Sequence, residues 1–290
     1  MLIDRVFDQI TAKHNPCIVG IDPVWERLPA CYTAGAADRP AAILRWAVDV
    51  IDSVADLVPA VKPQMAFFEA FGGAGVEVFA RLTAHAHARG LFVVDDSKRG
   101  DIGSTAQAYA EAHLAPDGPI RADFLTVSPF LGTDSLAPFL DAAARYDRGL
   151  FILVKTSNPS SYELSGARTE GGETIRDWLA GVVSDAGRGR IGACGYSPIG
   201  AVVGATYPEE AAHLRRAMPH SLFLVPGFGA QGGRPADIAH CFTDGRGALV
   251  SASRSILYPD GALDASRTAY CDLIRAQAAA MRDAVNAAIV

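Results

Sequence analysis

The sequence is poor in cysteine, and its few cysteines do not form a scaffold pattern. Five stand at Cys17, Cys31, Cys194, Cys241 and Cys271, an odd number with no C-x-x-C pair. That argues against a disulfide framework or a zinc knuckle and points to a reducing cytoplasm. No basic motif flanks them, so they are expected in the core. Basic charge is also short. The chain has 26 lysines and arginines against 32 aspartates and glutamates, a net charge of −6. A general nucleic-acid surface is therefore not expected, and an anionic ligand would need a local basic site. No long apolar run spans a membrane. The uncharged stretch Ile191 to Pro208 is cut by four glycines and two prolines. The opening residues, MLIDRVFDQITAKHN, carry charge throughout and hold no apolar signal core.

What is present is a large supply of core. Half of the 290 residues are hydrophobic and a fifth are charged, which excludes wholesale disorder. No low-complexity linker divides the chain, so residues 1–290 are expected to form a single domain. Short apolar runs alternate with longer amphipathic segments. Strands are expected at Cys17–Asp22, Ala60–Lys62, Leu91–Ser97, Phe124–Val127, Leu150–Lys155, Ile199–Ala205, Leu222–Pro226 and Ala248–Ser251. Between them lie helical patterns. Asp38-Arg-Pro40 caps one whose face carries Ile43, Ala47, Val50, Val54 and Leu57. The last places Tyr270, Ile274, Ala278, Met281, Val285 and Ile289 on one stripe, with Asp264 or Ser266 as its cap. Eight strand–helix alternations predict an α/β fold, a (β/α)8 TIM barrel, with a doubly wound open sheet as the alternative.

In such a barrel, chemistry gathers at the C-terminal strand ends. Strand one ends at Asp22 and strand two at Lys62. Strand three runs Asp95-Asp-Ser-Lys-Arg-Gly-Asp101. Alternation puts Asp96 and Lys98 on one face, with Asp95 and Ser97 on the other. Lone buried charges are costly, so these groups are expected as a paired network. A structural ion-pair plug would read the same way at one strand. Recurrence at three successive strand ends favours a catalytic array. The last two strands add an anion signal, the glycine-rich run Pro226 to Gly233 and then Ser253-Arg254. Glycines let backbone N–H groups approach phosphate, and Arg254 adds a guanidinium.

These motifs resemble the orotidine 5′-phosphate decarboxylase family. Asp96-Ser-Lys98-Arg-Gly-Asp101-Ile102 matches its D-x-K-x-x-D-I motif, Pro226–Gly233 its phosphate loop, and Arg254-Ser-Ile256 its closing arginine. Lys155-Thr-Ser-Asn-Pro159, D-x-K-R-G-D-I-x-x-T from Asp96 to Thr105, and the length are similar to the longer bacterial subfamily. The resemblance implies cofactor-independent decarboxylation of orotidine 5′-phosphate to UMP. Asp22 would bind ribose, with Lys62 between ribose and the aspartates. Asp96 and Lys98 would face the scissile carboxylate, and Lys98 would protonate C6. Asp101, Ile102 and Thr105 would reach the neighbouring subunit's site in a homodimer. Ser157 would read the pyrimidine amide, and Gln231 and Arg254 would hold phosphate. Ser253 stands where the family usually has glycine, and Ser128 where it has asparagine; Ser128 is given no role.

Other readings remain open. A Mg²⁺-dependent sugar-phosphate lyase or isomerase would share the barrel and phosphate loops. Schiff-base chemistry could use Lys62, Lys98 or Lys155. A non-catalytic nucleotide binder would need no Lys/Asp array. His85, His87 and His113 fall in helical segments and are expected on solvated faces rather than around a metal. Arg45, Arg81 and Arg188-Gly-Arg190 are expected on solvated faces too. Phe67, Phe68 and Phe71 are expected in helix packing.

Overall fold

Apolar runs too short for helices must find partners along the chain, and each does so with its sequence neighbour. The computed structural model describes residues 1–228 and 234–289. Its strands are β1 (Cys17–Ile21), β2 (Ala60–Pro63), β3 (Phe92–Arg99), β4 (Phe124–Val127), β5 (Gly149–Lys155), β6 (Ser197–Val203), β7 (Ser221–Pro226) and β8 (Ala248–Ala252). They pair in parallel in chain order, and β1 pairs with β8, closing a barrel. The open-sheet alternative is thereby excluded. β6 lies two residues earlier than the sequence pattern suggests. Its last pairing is Val203 with Lys155, and Gly204 and Ala205 already belong to the rim.

Side-chain alternation sorts each strand into two cores. Ile18, Ala60, Val94, Phe124, Phe151, Val202, Leu222, Leu224 and Leu249 point inward. Leu2, Ile3, Val6 and Phe7 of the first helix (Leu2–Lys13) close the N-terminal mouth against this interior. The other strand parity, with Val19, Val61, Val93, Leu125, Ile152, Phe223 and Val250, packs under the outer helices. Two residues past Ala60, Val94 and Phe124, and four past Ile18, the apolar filling gives way to Lys62, Asp96, Thr126 and Asp22. Within the barrel, these polar groups thus stand where the interior opens to solvent.

The expected helix faces hold except at their last residues: Leu57 falls in the turn after its helix, and Leu57 and Ile289 are only half-buried. Ile43, Ala47, Val50 and Val54 are buried in Arg39–Val54, where Asp38 Oδ1 accepts from the Ala41 N–H at 3.0 Å. Tyr270, Ile274, Ala278, Met281 and Val285 are buried in Arg267–Ile289. Of the two candidate caps, Ser266 accepts from the Ala269 N–H. Phe68 is fully buried and packs edge-on against Phe79. No helix among the described residues is long and apolar enough to cross a membrane.

Three expectations are corrected. Cys17 and Cys241 are buried, but Cys31 is exposed and Cys194 and Cys271 are half-buried. Arg190 is half-buried and donates to the Ala143 and Arg148 carbonyls, so it ties loops rather than facing water. His113 is buried, its Nδ1 2.5 Å from Asp95 Oδ2. Asp95 is on the outer face of β3, fully covered, and its other oxygen accepts from Ser97. His85 and His87 pair separately with Asp52 and Asp123.

Candidate active site

The C-terminal mouth holds a cavity of about 470 Å³. Eight of the expected site residues line it: Asp22, Lys62, Asp96, Lys98, Ser157, Pro226, Ser253 and Arg254. Three do not. Asp101 is half-buried beyond β3 and accepts from the Ile102 N–H, while Ile102 and Thr105 are exposed. Ile102 is 58% exposed, unusual for an isoleucine in a folded chain. Gln231, with residues 229–233 of the glycine-rich run, lies outside the described residues.

Asp96 is the hub. Its Oδ2 accepts from Lys62 Nζ at 2.6 Å and from Gln64 Nε2 at 3.0 Å. Its Oδ1 accepts from Lys98 Nζ at 2.5 Å and from Thr126 Oγ1 at 3.2 Å. Burial alone would push the Asp96 carboxyl up, but the charges of Lys62 and Lys98 and their hydrogen bonds hold it well below the usual carboxylate range. Burial likewise pulls Lys62 down, and the Asp96 and Asp22 charges outweigh it, leaving the ammonium above the ordinary lysine value. Two acids alternate with two lysines, so their formal charges cancel and each buried charge has an opposite neighbour.

Lys98 is held differently from the other three. Its residue takes a left-handed backbone conformation, φ 49°, and the β3–β4 register shifts between Asp95 and Arg99. Strict alternation therefore fails here, yet the ammonium still returns to Asp96. Thr126 Oγ1 accepts from the Lys98 N–H at 2.8 Å. Lys62 is nearly buried, whereas the Lys98 side chain is 43% exposed. Lys98 is the array's exposed cation, and Lys62 its buried one.

Thr126 and Gln64 were missed in the sequence. A lone threonine in the apolar run Phe-Leu-Thr-Val was the available signal for the first. Gln64 follows Lys62 by two residues, which keeps it on the same side. Lys155, one of the three lysines considered for Schiff-base chemistry, is placed away from the cavity. It is fully buried, donates to Ser161 and Ser165, pairs with Glu210 at 3.3 Å and stands 4.1 Å over the Tyr207 ring. It braces the loop that follows β5 and does not line the cavity, so it is no candidate for Schiff-base chemistry there. Arg254 is exposed at the cavity edge and forms no ion pair with a described residue.

A mouth lined by an alternating cation–anion array and edged by an arginine suits a small polyanion whose reacting end develops charge. Comparison with known proteins agrees with that chemistry. A family model described as Orotidine 5′-phosphate decarboxylase / HUMPS family matches residues 16–267. The chain is 47% identical over 250 residues to orotidine 5′-phosphate decarboxylase of Rhodopirellula baltica, covering 83% of this chain and 82% of that one. It is 33% identical over 286 residues to the protein of the same name from Clostridium acetobutylicum, covering 99% of both. A crystal structure of a proposed orotidine 5′-phosphate decarboxylase from Streptomyces avermitilis superposes with a TM-score of 0.84 at 34% identity. That match covers 99% of this chain and 95% of the other.

Proposed function

The chain belongs to the orotidine 5′-phosphate decarboxylase / HUMPS family, and from that premise we propose that it converts orotidine 5′-phosphate to UMP without a cofactor, Lys98 supplying the proton. The 290-residue length supports the longer bacterial branch. The observation that carries the reading is the Asp22–Lys62–Asp96–Lys98 array at one end of a cavity edged by Arg254.

The reaction breaks the C6–carboxylate bond and leaves the electron pair in the ring plane, where the π system cannot absorb it. Stabilisation must then be electrostatic and preorganised. The Lys98 ammonium lies beside the developing carbanion, and its proton passes to C6 as CO₂ departs. The amine left behind regains a proton from water. Asp96, kept ionised by its two lysines, holds Lys98 charged and oriented. Lys62 and Asp22 take the ribose hydroxyls, Ser157 the pyrimidine amide, and Arg254 with Gln231 and the Pro226–Gly233 segment the phosphate. Phosphate is far from the bond that breaks, and its binding energy serves orientation and closure. Asp101, Ile102 and Thr105 complete the site of a second copy in a homodimer. One barrel domain suffices for each half, and unpaired cysteines suit a cytoplasmic location.

The direct test follows loss of orotidylate absorbance with purified protein after EDTA treatment. Undiminished turnover supports the proposal. Activity that appears only when Mg²⁺ is restored would move the chain to metal-dependent chemistry.

Arg254→Ala is expected to lower kcat/KM by roughly 10- to 150-fold, on the order of 1.5–3 kcal/mol for one charge-assisted contact. A substrate without phosphate should be affected little. Equal losses on both substrates would remove the phosphate role.

Gly204→Ala tests the amide-reading loop. A methyl group there would sit 2.9 Å from the Ser157 backbone nitrogen and 3.0 Å from its Cα. Backbone cannot yield as a flexible side chain does, so the loop must shift. KM for orotidylate should rise roughly tenfold, about 1.4 kcal/mol. An unchanged KM would show that Ser157 need not hold this position.

A further inference from the structure

Strand β1 carries an inward-facing glycine two residues before Asp22. A Cβ on Gly20 would lie 2.7 Å from the Ser253 Cβ, so the space that a β1 side chain would occupy is filled from β8's end instead. Seated there, the Ser253 hydroxyl donates to Asp22 Oδ2. The same segment grips Asp22 a second time, because Tyr258 Oη donates to the Asp22 carbonyl at 2.6 Å and accepts from the Val24 N–H at 2.8 Å. The other carboxylate oxygen, Asp22 Oδ1, is buried and has no hydrogen-bond partner among the described residues. A buried carboxylate oxygen without a donor is costly, and a donor arriving with a ligand removes that cost.

We infer that Ser253 is a positioning residue for ribose recognition: its hydroxyl fixes Asp22 through Oδ2 and so reserves Oδ1 for a ligand hydroxyl. Its position supports this. Ser253 immediately precedes Arg254, so one turn ties the sugar-facing carboxylate to the phosphate-facing guanidinium. A glycine at 253 would leave Asp22 free to rotate and the pocket over Gly20 empty. The inference rests on the reading of Asp22 as the ribose acceptor.

The experiment measures binding of UMP and of its 2′,3′-dideoxy analogue to the wild-type protein, Ser253→Ala, Asp22→Ala and the double variant. Ser253→Ala keeps the Cβ over Gly20 and removes only the hydroxyl. UMP affinity should fall about fivefold in Ser253→Ala, with the dideoxy analogue unchanged. In the Asp22→Ala background, Ser253→Ala should cause no further loss. Equal weakening of both ligands, or full additivity with Asp22→Ala, would overturn the inference and leave Ser253 as part of the phosphate turn. If Asp22→Ala itself fails to distinguish the two ligands, the ribose reading of Asp22 falls and takes the inference with it.

A packing control is independent of ligand. Gly20→Ala should lower Tm in the wild type and do so less in Ser253→Gly, where the clashing Cβ is gone. An equal drop in both backgrounds would show that Ser253 is not seated on Gly20 and would overturn the proposed geometry.

Discussion

Replacing Lys98 with alanine should reduce turnover by at least about a thousandfold, the combined loss of a proton donor and a preorganised cation. The fold should survive. Lys98 is the most exposed member of the array, and Asp96 keeps Lys62, Gln64 and Thr126 as donors without it. Asp96 would remain ionised through Lys62, so the variant does not strand a buried charge. UMP should still bind, because Arg254 and Asp22, the groups proposed for phosphate and ribose, are retained. Lys98→Arg offers a sharper contrast. It restores positive charge, but a guanidinium surrenders its proton far less readily than an ammonium, so turnover should stay low. The measurements are single-turnover decarboxylation, UMP affinity and thermal unfolding of each variant. Turnover of Lys98→Ala within tenfold of wild type, about 1.4 kcal/mol in barrier, would falsify Lys98 as the proton donor.

The difference between Lys98 and its neighbours also shows what a sequence can and cannot disclose. Ile18, Ala60, Val94 and Leu249 lie in apolar runs whose length and spacing already mark buried parallel strands. Once a barrel is inferred, the last inward residue of each run must meet solvent, which makes Asp22, Lys62 and Asp96 legible as rim groups. Lys98 is legible in type but not in conformation. Its left-handed backbone and the β3–β4 register shift come from pairing with another strand, and nothing local announces them. The β6 offset has the same origin. Ser197 and Pro198 look like loop residues by propensity, yet the sheet recruits them, Ser197 pairing with Ser221 of β7.

Buried polar pairs were the least legible. Asp95 and His113 are 18 residues apart, on a strand and on the helix after it, and each alone looks solvent-facing in sequence. Packed together they satisfy one another beneath β3, directly behind the strand that carries Asp96. Lys155 misled in the opposite way. Its type left Schiff-base chemistry open, but the pairing between β5 and β6 shifts at Leu153–Lys155. The ammonium instead finds two serines and Glu210 behind the loop. In both cases the deciding contact is non-local.

The same limit makes Asp101 the most informative remaining residue. It stands past the end of β3, does not line its own chain's cavity, and is followed by an isoleucine that is 58% exposed. Phe130 and Leu131, in the loop after β4, are also exposed, Phe130 by 74%. Exposed apolar side chains beside Asp101, the residue proposed above for a second copy's site, suit an isologous contact in which each chain lends Asp101 to the other. Mixing tests this by symmetry. Lys98→Ala and Asp101→Ala chains are each expected to be inactive as homodimers. In a mixed dimer, the Asp101→Ala chain keeps its Lys98 and receives an intact Asp101, while the opposite site lacks both. Random exchange of equal amounts makes about half the dimers mixed, each with one good site of two, so activity should recover to about a quarter of wild type. Subunit exchange is verified by mass, and activity is read on the same sample. Exchange without recovery would place Asp101 within its own chain's chemistry or outside catalysis altogether, and the exposed Ile102 would then need another partner.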